Sequence, residues 1–277
     1  MKKINKYQKF LVIYFIAMVV LWAGLWATDT KAGNWNYWFS FLFGLIPLVG
    51  GAVGIVKSSI WGRFKSTLGK AVFFISLGLL LWGLGETIWS YYNFFKHVPA
   101  PYPSLADIGF APSIFFWILG TIYLAKASGA LFVLKKSTAA KVLAILVPLL
   151  LLIPSYYIQV TLARGGSLLP EGETSLKVVL DIVYPFGDFL ALVFAGMVFS
   201  LSYKYFGGFY RKAITSILLG LFVMYCGDSV FSYTTTEGTY YNADWGDMFL
   251  ALGLSLITFG ILAFCTKPTV KQSADTK

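Results

Sequence analysis

The residues of this chain best placed to do chemistry are carboxylates set in or at the edge of long apolar runs. Glu86 lies in the third such run and Asp228 in the seventh. Asp181 and Asp188 lie in the sixth, seven residues apart, which puts them two turns apart on one helical face with Tyr184 and Pro185 between them. Asp107 and Asp247 stand where the fourth and eighth runs open. An ionisable side chain inside a span costs about 2.5–3.5 kcal/mol at the bilayer centre and faces a bundle interior or a wet cavity. The usual compensation is a neighbouring Lys or Arg, yet no basic residue stands deep in any run. Glu86, Asp188 and Asp228 are therefore expected to be partly protonated, hydrogen-bonded to Tyr, Ser or Trp, or occupied by an external cation. With Trp89, Tyr91, Tyr92 and Tyr184 close by in sequence, they predict an outward-facing acidic-aromatic pocket for a small cation. That cation is either a metal ion such as Ca²⁺, with Glu86, Asp188 and Asp228 as candidate ligands, or an organic cation held by an acid and by cation–π contact.

Each acid also has a purely structural reading. Asp107 follows Ser104 by three positions, the spacing of a helix-capping box. Asp244 and Asp247 suit the first turn of the last helix, where negative charge is favoured. Asp181 is placed at the water interface, and Glu86, Asp188 and Asp228 can each serve as a helix-to-helix hydrogen bond without a ligand. Other chemistries find no support. His97 is the only histidine, so a multi-histidine zinc or haem site is excluded. Lysines occur only at helix ends or in loops, which removes a buried Schiff-base lysine. No phosphate loop, G-x-S-x-G, HExxH or paired CxxC is present, and no cofactor is expected. Cys226 and Cys265 are read as packing residues at different depths.

The elements that must hold these acids are membrane helices. Of 277 residues 58% are hydrophobic and 12% charged, against about 25% charged in soluble domains. Eight runs approach the ~20 residues needed to span a bilayer, near 9–27, 37–56, 70–93, 107–127, 138–159, 177–203, 213–234 and 246–266. The basic opening segment continues beyond the length of a signal-peptide core, so it is expected to remain as the first helix. With the N-terminus inside, the inner segments hold 18 Lys and Arg and the outer ones 4, which predicts eight spans with both ends in the cytoplasm of a cell-membrane protein. The net charge of +10 is thus read as orientation, not nucleic-acid binding. Of twelve acids only Asp275 falls on the inner side.

The stretches around Glu86 and Asp228 read as copies of one another. Gly85-Glu86-Thr87-Ile88-Trp89-Ser90-Tyr91 aligns with Gly227-Asp228-Ser229-Val230-Phe231-Ser232-Tyr233, and Ala106-Asp107-Ile108-Gly109 with Ala243-Asp244-Trp245-Gly246. A Gly-Asp pair recurs at Gly187-Asp188, Gly227-Asp228 and Gly246-Asp247. The expected architecture is an all-α membrane domain over 1–277, with repeat halves 1–136 and 137–266 of the same orientation and a short cytoplasmic tail, 267–277.

Through Pro103-Ser104-Leu105-Ala106-Asp107, Tyr184-Pro185-Phe186-Gly187-Asp188 and the late Gly-Asp and Ala-Asp motifs, the chain resembles the multi-span membrane sensor region at the N-terminus of some bacterial diguanylate cyclases and sensor kinases. The resemblance covers roughly residues 70–265 and implies signal sensing passed to an output domain. No GGDEF or kinase signature follows the eighth helix, so a stand-alone sensor acting through a cytoplasmic partner is expected. The competing expectation is a proton- or cation-coupled transporter, with the repeat halves as moving parts. A lipid-modifying membrane enzyme ranks third, since no nucleophile or metal-histidine set accompanies the acids.

Overall fold

The computed structural model describes residues 4–96, 101–129, 136–162, 164–167, 174–202 and 211–265. His97 and the tail 267–277 lie outside the described residues. The described residues form helices and turns with no strand. The helices are α1 (Lys6–Ala27), α2 (Asn34–Lys57), α3 (Thr67–Tyr91), α4 (Asp107–Ala127), α5 (Thr138–Tyr156), α6 (Ser175–Ser202), α7 (Arg211–Thr236) and α8 (Trp245–Ala263). Each lies within a few residues of one apolar run. Six are long and apolar enough to cross a membrane: α1, α2 with its extension to Trp61, α3 with its extension to Lys96, α4, α7 and α8. The chain is a multi-pass helical membrane protein.

The surface has the polarity that a bilayer requires. α1 turns Phe10, Ile13, Ile16 and Val20 outward, and α5 turns out Ile145, Leu149, Leu150 and Ile153. The interior is also apolar, built around the fully buried Trp117, Phe39, Phe43, Leu79, Met224 and Leu254. Where lipid and core are equally apolar, helices associate through close backbone approach and small residues rather than through the hydrophobic effect.

Six helices close a ring. α2 packs on α3, α3 on α4, α4 on α6, α6 on α7, α7 on α8, and α8 returns to α2. α1 lies outside it against α2 and α8, and α5 lies outside against α6. The N-terminus of α1 is tied to the ring by two amides: Asn5 Nδ2 donates to the Leu262 carbonyl at 2.9 Å and Gln8 Nε2 to that of Phe259 at 3.0 Å. The same two side chains form a reciprocal capping box at the start of α1, so the cap and the tertiary tie share residues.

Candidate binding site

A cavity of about 50 Å³ lies inside the ring, toward the end where α3 and α7 finish and α4 and α8 begin. Every ring helix reaches it: Phe43 from α2, Trp82, Glu86 and Trp89 from α3, Asp107 from α4, Tyr184 from α6, Asp228 from α7 and Asp247 from α8. Tyr102, ahead of α4, and Tyr240, in the α7–α8 loop, complete it. No basic side chain is among the described lining residues. Glu86 is five residues from the end of α3 and Asp228 eight from the end of α7, or about 8 and 12 Å below the helix ends at 1.5 Å per residue.

Glu86 owes its position to α3 and to glycine neighbours. Helix α3 starts at an N-cap, Ser66, whose hydroxyl accepts the Gly69 N–H at 2.9 Å. It crosses α4 with backbones nearly touching, since a Cβ on Gly109 would stand 2.5 Å from the Gly85 nitrogen. On the other side, a Cβ on Gly44 of α2 would lie 2.8 Å from the Glu86 Cβ. Glycine at these positions lets α2, α3 and α4 close around a glutamate. Glu86 is only 5% exposed, and its Oε1 has no hydrogen-bond partner.

The acids around it are held very differently. Asp107 accepts the Ser104 N–H at 2.7 Å through Oδ2 and the Tyr184 hydroxyl through Oδ1. The capping box is only half formed: the Ser104 hydroxyl accepts the Ala106 N–H, and the N-cap of α4 is Ala106. Asp244 is the N-cap of α8 and accepts the Asp247 N–H at 3.0 Å. Asp247 in turn accepts the Ala243 N–H at 2.7 Å and the Tyr240 hydroxyl at 3.2 Å. Both perform the expected first-turn role, and Asp247 also faces the cavity.

The α7–α8 loop turns inward. The amides of Thr239 and Tyr240 donate to the Thr234 carbonyl at 2.8 and 3.1 Å, which closes the end of α7. The loop then delivers Asn242 to the interior, where its Oδ1 accepts Trp89 Nε1 at 3.0 Å and the Ser40 hydroxyl at 3.0 Å. Asn36 Nδ2 donates to the Asn242 carbonyl at 2.9 Å. One asparagine thereby joins α2, α3 and the loop. Tyr240 stands edge-on to Phe231, with ring centroids 4.9 Å apart, and to Trp89 at 6.1 Å. Burial, and then the negative charges of Asp247 and Asp244, push the Tyr240 hydroxyl well above its ordinary pKa, so it stays a neutral donor.

Of the residues singled out by sequence, Glu86, Trp89, Asp107, Tyr184, Asp228 and Asp247 line this one cavity. Tyr91 does not: it is 47% exposed and stacks on Phe95 at 5.4 Å. Asp181 and Asp188 are on α6, but their side chains lie outside the described residues. Sequence reasoning missed Tyr240, Asn242, Tyr102 and Ser40. Among the described residues, no three Asp, Glu, His or Cys side chains are grouped to hold a metal ion. Comparison with known proteins finds no matching family model, curated protein or solved structure.

Proposed function

We propose that the protein is a membrane-embedded receptor that binds a small monovalent cation in this acidic-aromatic cavity and signals through helix packing to a cytoplasmic partner. One observation carries the reading: a buried carboxylate, Glu86, keeps an unpartnered oxygen in an aromatic-walled cavity with no basic side chain among its described lining residues. An ammonium group suits both the acid and the aromatic lining of Trp82, Trp89 and Phe231. The volume decides the size class. One buried water needs about 10–15 Å³ of such cavity space, so 50 Å³ holds the equivalent of a few waters and suits a small organic cation such as methylammonium. With no grouping of three metal-ligating side chains among the described residues, an organic cation held by Glu86 and aromatic rings is favoured over a calcium cage.

The ring fits two four-helix halves, α1–α4 and α5–α8. The packing of α2 on α8 and of α6 on α4 is then one contact made twice, and the aligned Glu86 and Asp228 reach one cavity from opposite halves. Eight crossings with both ends in the cytoplasm belong to this reading, as does the resemblance to bacterial sensor regions. The same twofold arrangement is what a cation-coupled transporter would use, which makes transport the second reading.

The test is equilibrium binding of ammonium, methylammonium, tetramethylammonium and Ca²⁺ to purified protein, with Glu86→Gln alongside. Methylammonium should bind and Ca²⁺ should not, tetramethylammonium gauges the size limit, and Glu86→Gln should lose about tenfold or more in affinity, the scale of one charge-assisted contact. Binding that is indifferent to Glu86→Gln would overturn the reading. Accumulation of methylammonium in sealed vesicles would convert the receptor into a transporter.

A further inference from the structure

Five buried side-chain atoms without a hydrogen-bond partner sit along one seam of the ring: Asn36 Oδ1 on α2, Glu86 Oε1 and Ser90 Oγ on α3, and both amide atoms of Asn93 in the π-helical turn Tyr92–Lys96 that continues α3. All four residues are at most 5% exposed. Positions 86, 90 and 93 fall on one face of a helix, each a turn from the next. The register of antiparallel α2 is set by Gly44 against Glu86 and by the Tyr37 ring, 6.1 Å from that of Phe94. This register puts Ser40 level with Ser90 and Asn36 level with Asn93. The polar file therefore has two sides and runs from the cavity toward the nearer end of the bundle.

Buried polar atoms are nearly always paired, because an unpaired one bears its full desolvation cost. Water admitted along the seam as the helices part would supply the missing partners. We propose that the α2–α3 seam is a hydrated path that carries protons between the site end of the bundle and Glu86. Among the described residues, the groups facing Glu86 are Asp107 from α4, Asp228 from α7, Asp247 from α8, Tyr184 from α6, and Tyr102 and Tyr240 from the loops; α2 brings Phe43 and Gly44. None of these is a cation, so the charge on Glu86 is balanced by its own proton or by a bound cation. Resting on the cation-binding reading, the cycle is an exchange. A cation enters, the Glu86 O–H bond breaks, the carboxylate balances the new charge, and the proton leaves over water held by Ser90, Asn93, Ser40 and Asn36.

The experiment follows the carboxylic C=O stretch of Glu86 by infrared spectroscopy of the full chain in lipid after transfer to deuterated buffer. Glu86→Gln assigns the band, and methylammonium binding is measured on the same samples. Ser90→Ala, which removes one oxygen, and Asn93→Leu should each slow deuteration of Glu86 about tenfold, the equivalent of one lost hydrogen bond on the path. Thr258→Val, which removes another unpartnered buried oxygen far along the bundle, should leave it unchanged. Slowed exchange without methylammonium binding would keep the path and sink the binding reading. Exchange as fast in Ser90→Ala and Asn93→Leu as in wild type would overturn the path, whatever methylammonium does.

Discussion

Glu86 and Asp247 share a cavity but are held in opposite ways. Asp247 is bound by the Ala243 amide and the Tyr240 hydroxyl, and so acts as a structural member of the α8 start. Glu86 has an oxygen to spare. Asp244, just outside the helix, links this corner to pH. Burial raises its carboxyl from 3.8 to about 6, against the lowering effect of hydrogen bonds from the Asp247 and Gly246 amides and from Thr234. A raised folded-state value means that the folded chain keeps a proton which the unfolded chain has already released. The stabilising contribution is complete below 3.8, declines as pH rises to about 6 and is gone above it. Asp244→Asn preserves an N-cap acceptor and removes the titration. Its melting temperature should therefore fall less than that of wild type across this window, and an identical slope in both proteins would assign the effect to another acid.

The helices were legible in the sequence because about twenty apolar residues in a row permit little else, and α4 occupies the same residues, 107–127, in sequence and structure. Their order around the ring was not legible. It depends on which small residues meet, and apolar runs look alike from every side. The acids of the site stood out as exceptions within apolar context, whereas Trp82 and Phe231 resemble any core aromatic. Tyr240 and Asn242 lie in a polar loop that carries no sign of turning inward. Glycine shows how an element imposes the geometry. Gly109→Leu should push α4 away from α3, because the collision is with backbone at Gly85 and Leu81, and should cost about 1–3 kcal/mol of overpacking. Gly24→Ala, on α1 with nothing within 4 Å, should be neutral or stabilising. Chemical or thermal unfolding of the two variants makes the comparison. Equal effects would show that the α3–α4 crossing is looser than described.

For the whole molecule the decisive asymmetry is charge. Lys6, Lys57, Lys70, Lys126 and Arg211 stand at one end of the bundle, and Asp29, Asp107, Asp228, Glu237, Asp244 and Asp247 at or near the other. Basic ends stay on the cytoplasmic side because translocating Lys and Arg is disfavoured, whereas acids weigh little in that choice. The gathering of acids at the far end therefore needs a separate cause, and the proposed cation site would supply one for Asp107, Asp228 and Asp247, which line the cavity. If the basic end is cytoplasmic, the cavity opens outward and the short turn after α2 faces inward. Thr239→Cys, in the exposed α7–α8 loop, should then react with a membrane-impermeant maleimide applied to intact cells. Ser59→Cys, in the exposed turn after α2, should react only after the membrane is opened. A Cys226→Ser, Cys265→Ser background removes the native thiols. The reverse pattern would place the acidic cavity in the cytoplasm, and an external cation would no longer be its ligand.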